Sequence, residues 1–139
     1  AVLKPLLVSE VKNPENKSIK KYNTKINNLS IAKNTETSRE VINMLRGVVK
    51  EGTGSEANIN GIDIIGKTGT AQKLSKNGNY EEGHVNTTFF GIVKFLKDPI
   101  IILVVIYDPI EKKWASETAA PLFKNIVSDI IDYGLIFEY

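Results

Sequence analysis

The run from Ile100 to Tyr107, "IIILVVIY", carries no charge and is built almost wholly from β-branched and aliphatic residues. Such side chains suit the pleated surface of a strand. The run is also about half of the roughly 17 to 20 apolar residues that a membrane-spanning helix needs. It therefore demands a place inside a sheet. Because it does not alternate with polar residues, it predicts a strand, Pro99 to Tyr107, covered on both faces, most simply by helices.

Two further strands precede it. His84 to Phe95 is rich in β-branched and aromatic residues and leads into Pro99 through Lys97-Asp98-Pro99, while Ile59 to Lys73 alternates well enough for a strand. Between them "SKNGNYEEG", Ser75 to Gly83, is polar and contains Asn77-Gly78, a strong hairpin signal. Three sequential strands with short turns predict an antiparallel meander.

A helix is expected on either side of this meander. Thr37-Ser38-Arg39-Glu40 has the form of a capping box, and Val41, Met44, Leu45, Val48 and Val49 follow at helical spacing up to Gly52, which predicts a helix from Ser38 to Glu51. Gly47 inside it costs about 1 kcal/mol relative to alanine, so another element is expected to pack closely there. Ala119, Leu122, Phe123, Ile126, Val127 and Ile130 predict a second helix from Thr118 to Asp132, with Pro121 in its first turn and Gly134 at its end. The fold class is therefore α+β, with both helices packed on a three-stranded antiparallel sheet. At the start of the chain, Ala1 to Val11 reads as a short strand and Lys12 to Asn28 as a polar turn or loop.

Composition sets outer limits. The 139 residues fit one domain or a piece of one, and 42% hydrophobic content is enough for a packed core. A net charge of +2, with lysines scattered along the chain, gives nucleic acid no footing as a partner. The absence of cysteine excludes a disulfide framework, a thiolate nucleophile and a cysteine-based zinc site, and leaves the compartment undetermined. The chain opens at Ala1 without a methionine or a signal pattern, which suggests a piece of a longer polypeptide.

The stretch "GKTGTAQ", Gly66 to Gln72, ends the first strand of the meander. A period of two puts Thr68 and Thr70 on one face and Lys67 on the other. A ligand that touches all three must lie along the strand's edge, where the backbone can pair with an extended peptide and Gly69, lacking Cβ, permits close approach. The hydroxyls could hold a carboxylate, the lysine would add positive potential, and an edge amide could serve as an oxyanion donor. A lysine and two threonines on an edge are equally an ordinary device against edge-to-edge aggregation. Residue chemistry alone leaves both readings open.

The wider context carries a resemblance. "GKTGTAQ" after an apolar strand, "MLRGVVKEGTG" ahead of it, and "TTFFGIVKFLKDPIIILVVIYDP" and "AAPLFKNIVSDIIDYGLI" behind it are similar to the C-terminal part of the transpeptidase domain of class B penicillin-binding proteins. The likeness runs from Val2 to Ile136, and "YDPIEKKW", "AAPLFKNI" and "DYGLI" lean towards the septal, division-specific type. The resemblance implies a penicillin-binding, β-lactamase-like fold and a serine D,D-transpeptidase that cross-links peptidoglycan stem peptides and is acylated by β-lactams. Three motifs define that family: Ser-x-x-Lys, Ser-x-Asn and Lys-Thr-Gly. By resemblance Lys67 supports proton movement near the two serines and holds negative charge. Thr68 and Thr70 bind the carboxylate of the donor peptide or of a β-lactam, Gly69 belongs to the same binding strand, and the Thr70 amide is half of the oxyanion hole. No metal or organic cofactor is implied. The implied partners are stem peptides, β-lactams, the upstream part of the same domain and other division proteins. The implied location is the extracytoplasmic face of a bacterial inner membrane, with the anchor upstream.

Ser9-Glu10-Val11-Lys12 and Ser30-Ile31-Ala32-Lys33 match Ser-x-x-Lys, and Ser75-Lys76-Asn77 matches Ser-x-Asn. With serine and lysine this frequent, such matches arise by chance, and neither Ser9 nor Ser30 opens a buried helix. Ser75 follows the Lys-Thr-Gly strand instead of preceding it, as a hairpin tip would. Residues 1–139 are therefore expected to be the C-terminal subregion of a transpeptidase domain, with the nucleophile upstream and the chain inactive by itself. The alternatives are a peptide-binding or interaction module without catalysis, or a D,D-carboxypeptidase or β-lactamase relative. Lys94 stands where the family usually has proline, and Ala115, Ser116 and Glu117 stand where it has glycines. That departure puts the loop geometry in doubt and leaves Lys67 to Thr70 untouched.

Other residues read as structure. His84 is expected to be a solvated residue at a strand start, and the pairs Glu81-Glu82 and Asp129-Asp132 solvated surface. Trp114, Phe89 and Phe90 are expected in the core or under a loop. Gly52-Thr53-Gly54 reads as a helix-ending turn and not as a phosphate loop.

Overall fold

The computed structural model describes residues 2–3, 6–23, 26–27, 34–94 and 99–134. The chain divides into two compact units, Ala1–Ser38 and Arg39–Tyr139.

The first unit holds more strand than its polar sequence predicted. β1 (Val2–Leu3) pairs antiparallel with β4 (Ile26–Asn27), and β2 (Glu10–Lys12) pairs with β3 (Ser18–Lys21). The stretch expected to be loop thus contains β3 and β4. The reason is the tight turn at Asn13: its side chain accepts from the Lys17 amide at 2.8 Å and its own amide donates to the Lys17 carbonyl at 2.9 Å. Asparagine and lysine folded back this way pair without any apolar pattern to announce it.

α1 (Thr35–Lys50) begins three residues earlier than the predicted start at Ser38. Asn34 is the cap: its Oδ1 accepts from the Thr37 amide at 2.8 Å and from the Thr37 hydroxyl at 2.9 Å. An asparagine in that place satisfies a free first-turn amide as well as Thr37 would have done.

In the second unit β5 (Asp63–Leu74), β6 (Tyr80–Lys94) and β7 (Pro99–Tyr107) form the predicted antiparallel meander in the order β5-β6-β7. The Asn77-Gly78 hairpin forms, with Gly78 at φ 80° and the Ser75 amide bonded to the Asn79 carbonyl at 2.8 Å. β6 starts at Tyr80 and not at His84, because an irregularity between Gln72 and Leu74 lets pairing resume at Leu74 opposite Tyr80. α2 (Ala119–Asp132) follows Thr118 and ends where the Gly134 amide reaches the Ile131 carbonyl at 3.0 Å. Phe95 lies outside the described residues.

α2 packs on β6 and β7. The core beneath it gathers Val49, Ala57, Ile64, Phe89, Val93, Val104, Ala115, Phe123 and Val127. Gly66 and Gly91 face each other in register, and a methyl added at Gly91 would stand 2.4 Å from the Phe123 ring, one at Gly66 2.7 Å from the Phe89 ring. Two bare backbones opposite each other therefore make the trough that the rings fill, with centroids 4.8 Å apart and planes tilted by 57°.

Three packing expectations need correction. β7 is covered on one face among the described residues: Val104 is buried, while Ile101 and Leu103 are 64% and 62% exposed on the other face. Composition demanded cover for both faces, but register alone decides which side chains meet α2. α1 joins the core through its last turn, with Val49 buried, Leu45 and Val48 half-buried, and Met44 68% exposed. A methyl at Gly47 meets nothing within 4 Å among the described residues, so no close packing there explains that glycine. Arg46 ties α1 to β5 through a two-pronged pair with Asp63, Nε to Oδ1 at 2.7 Å and Nη2 to Oδ2 at 2.9 Å.

Candidate active-site strand

β5 is buried where it begins and exposed where it ends. Ile64, Ile65 and Gly66 are buried, Lys67 and Thr70 are exposed, and Thr68 and Gly69 are half-buried. Among the described residues its other long edge is unpaired in the three-stranded order, which is the edge placement the sequence predicted. The register puts Thr68 opposite Phe89 and Thr70 opposite Thr87, on the face that α2 covers, and Lys67 opposite Phe90 on the other.

The side chains nevertheless converge. Lys67 Nζ curls around the edge to lie 3.1 Å from the Thr68 carbonyl oxygen and 3.5 Å from Thr68 Oγ1. Thr68 Oγ1 in turn lies 2.7 Å from Thr53 Oγ1. Thr53 was read as part of a mere turn; the turn after α1 does exist, with the Gly54 amide on the Val48 carbonyl at 2.9 Å. Gly54 lets that turn lie on the core, since a Cβ there would stand 3.1 Å from the Phe89 ring. Thr53 is thereby delivered to Thr68. A lone threonine between two glycines, in a turn that needs no hydroxyl, was the available signal.

Thr70 has a different neighbour. Its Oγ1 accepts from the Ala115 amide at 3.4 Å, and Ala115 itself is buried. Gly69 has a structural cause besides ligand approach: a Cβ would fall 2.4 Å from Thr88 Oγ1, and that hydroxyl donates to the Gly69 carbonyl at 3.3 Å. Beside Thr53 a cleft of about 340 Å³ opens, with Glu56, Lys112, Ser116, Glu117 and Pro121 on its walls. Lysine, three hydroxyls and an open edge make a surface suited to an anionic, extended ligand.

Ser9 is exposed beside β2, Ser75 is in the β5–β6 turn, and Ser30 lies outside the described residues. His84 is within β6 and not free: its Nδ1 is 2.8 Å from Asp108 Oδ1. Lys73 joins the same carboxylate at 2.9 Å and Glu81 at 3.8 Å, so Glu81 is paired and not merely solvated. The hydrogen bond from Lys73, then that from His84, holds the Asp108 carboxyl below its ordinary value, and Asp108 raises Lys73. Trp114 is 65% exposed and Phe90 is exposed too, against expectation, whereas Phe89 is fully buried. Strand parity explains the Phe pair: adjacent residues point to opposite faces. Among the described residues no group of acidic or histidine side chains is placed to hold a metal. No helix among them is long and apolar enough to cross a membrane.

Comparison with known proteins identifies the family. Residues 1–128 match the penicillin binding protein transpeptidase domain. A peptidoglycan D,D-transpeptidase FtsI homolog from Chlorokybus atmophyticus is 39% identical over 98 residues, covering 70% of this chain and 14% of that protein. Stage V sporulation protein D of Bacillus subtilis is 36% identical over 95 residues, covering 68% of this chain and 15% of its own length. The chain thus spans about one-seventh of these relatives. Among solved structures, penicillin-binding protein 3 from Mycobacterium tuberculosis complexed with aztreonam superposes with a TM-score of 0.69 at 26% identity, covering 93% of this chain and 30% of that one. The α+β architecture is shared with solved penicillin-binding protein transpeptidase domains, and the chain belongs to the penicillin-binding protein transpeptidase domain family.

Proposed function

We propose that β5 is the anion-binding wall of a serine D,D-transpeptidase site, completed by a Ser-x-x-Lys and a Ser-x-Asn in a longer parent chain that precedes these residues. The observation that carries this reading is the convergence of Lys67, Thr68 and Thr53 on an exposed strand edge, with Thr70 next along it. The hydroxyls of Thr68 and Thr70 hold the carboxylate of a peptidoglycan stem peptide or of a β-lactam, and Lys67 contributes positive potential beside the nucleophile. The Thr70 amide donates to the developing oxyanion. The parent acts on the extracytoplasmic side of a bacterial inner membrane, from an anchor outside this chain, and serves cell-wall synthesis at division. Residues 1–139 alone take no acyl group.

A fluorescent penicillin tests this. In the parent protein Lys67→Ala is expected to slow acylation about a hundredfold or more, with the adduct mapping to a serine outside residues 1–139. Acylation at the wild-type rate, or an adduct on a serine within these residues, overturns the reading. The alternative is a peptide-binding module without catalysis on the same fold. A parent with no penicillin adduct but retained stem-peptide binding selects that alternative.

A further inference from the structure

The turn between β7 and α2 holds the Lys-Thr-Gly strand by two threonines that no motif includes. Thr70 and Thr87 are cross-strand partners, and the turn Trp114–Thr118 touches both. Thr87 is wholly buried, so its hydroxyl needs a partner. That partner is Thr118 Oγ1, 2.9 Å away. Thr118 Oγ1 also stands 2.8 Å from the Trp114 carbonyl oxygen. A hydroxyl has one proton and a carbonyl can only accept. Thr118 Oγ1 is the donor in both contacts, so its one proton is shared between the Thr87 hydroxyl and the Trp114 carbonyl.

This arrangement closes the turn on itself and fastens it to β6. The Glu117 amide donates to the Trp114 carbonyl at 3.1 Å and the Ala120 amide to the Ala115 carbonyl at 2.9 Å, while the Ala115 methyl is buried in the core. With the turn fixed, the Ala115 amide is presented to Thr70 Oγ1 at 3.4 Å. An amide can only donate, so Thr70 accepts there and its own proton is left for another acceptor. Thr70 is exposed, so that proton is open to an acceptor from solvent or from a ligand.

We propose that Thr118, acting with the buried Thr87, is a positioning residue for this site: it holds the Trp114–Thr118 turn so that the Ala115 amide orients the Thr70 hydroxyl as a donor to the ligand's carboxylate. The inference rests on the reading of β5 as a carboxylate-binding wall. It assigns the preference for a carboxylate partly to residues more than forty positions beyond Thr70 in the chain.

The test uses the parent protein and two probes, a penicillin with its free carboxylate and the same penicillin as its neutral methyl ester. Wild-type protein is expected to prefer the acid. Thr118→Val, which keeps the shape and removes the hydroxyl, is expected to cut that preference about tenfold, with Thr118→Ser restoring it and the ester rate little changed. Hydrogen exchange of the peptide that contains Ala115 is expected to quicken in Thr118→Val and to return to the wild-type rate in Thr118→Ser. An unchanged acid-to-ester ratio in a folded Thr118→Val, or unchanged exchange, overturns the proposal. If valine at 118 prevents folding, Thr118→Ala and Thr87→Val, each of which removes one of the two hydroxyls, are read in the same two ways. A wild-type parent that neither probe acylates overturns the transpeptidase reading instead, and the exchange result then decides the positioning claim by itself.

Discussion

The two halves of β5 follow different rules on one backbone. From Asp63 to Gly66 the strand is packing: Ile64 and Ile65 are buried, and Gly66 faces Gly91 under an aromatic ring. From Lys67 to Leu74 it is chemistry: the Thr68 and Thr70 hydroxyls meet Thr53 and the Ala115 amide, the Gly69 carbonyl meets Thr88, and no side chain enters the apolar cluster. Pairing with β6 runs without interruption from Asp63 opposite Lys94 to Gln72 opposite Val85. The difference teaches that the site is not a loop hung on a scaffold. It is the solvent end of a core strand, and the ladder carries the rigidity of one half into the other.

The packing half should therefore be where stability is lost. Phe89 lies under both Gly66 and Gly54, so Phe89→Ala is expected to cost about 3–5 kcal/mol, read as the fall in urea midpoint. It should also loosen the turn that carries Thr53. A loss below about 1 kcal/mol would dissolve the division between the halves. Gly66→Ala comes next. Its Cβ would meet a ring atom and the Phe90 carbonyl oxygen, both at 2.7 Å, and backbone cannot move aside as a side chain can. About 1–3 kcal/mol is expected, and a neutral result would mean that the trough is looser than its distances imply.

The boundary residue of the packing half carries the pH dependence. The hydrogen bonds from Arg46 hold the Asp63 carboxyl below its ordinary value, with Lys94 and Lys50 adding attraction and burial opposing. A carboxyl depressed on folding adds stability that is fully present above its unfolded value of about 3.9 and is lost as pH falls through the lower folded value. Asp63→Asn is expected to cost about 1 kcal/mol at pH 7, the size of a solvent-screened pair. It should also flatten the acid limb of the stability curve. A mutant that keeps the wild-type acid slope would assign that slope to other carboxylates.

The two halves were not equally legible in the sequence. The meander, its Asn77-Gly78 turn, α2 and the exact span of β7 follow from composition and period, because each is a local pattern. So does the alternation of Lys67 against Thr68 and Thr70. What escaped depends on contacts between distant positions. Thr53 meets Thr68 across fifteen residues, Thr118 meets Thr87 across thirty-one, and His84 meets Asp108 across twenty-four. No periodicity encodes such meetings. The cap at Asn34 was missed for a smaller reason: Thr37 offers the same chemistry three residues later, and only backbone geometry chooses between them. The expectation that β7 is covered twice failed because hydrophobicity states what a residue prefers and not what the fold supplies.

The smallest effect on stability should come from the residue expected to matter most for function. Lys67 is exposed, and among the described residues its ammonium touches only the Thr68 carbonyl and hydroxyl, next to it in the chain. Such a contact orders a long side chain at an entropy cost and gains little in water. Lys67→Ala is therefore expected to change stability by less than about 0.5 kcal/mol, while the same substitution slows acylation of the parent about a hundredfold or more. The two measurements on one variant separate the roles of the strand's halves. If Lys67→Ala were destabilising by as much as Gly66→Ala, the lysine would belong to the packing half, and its loss of acylation would report a disturbed strand instead of a missing charge.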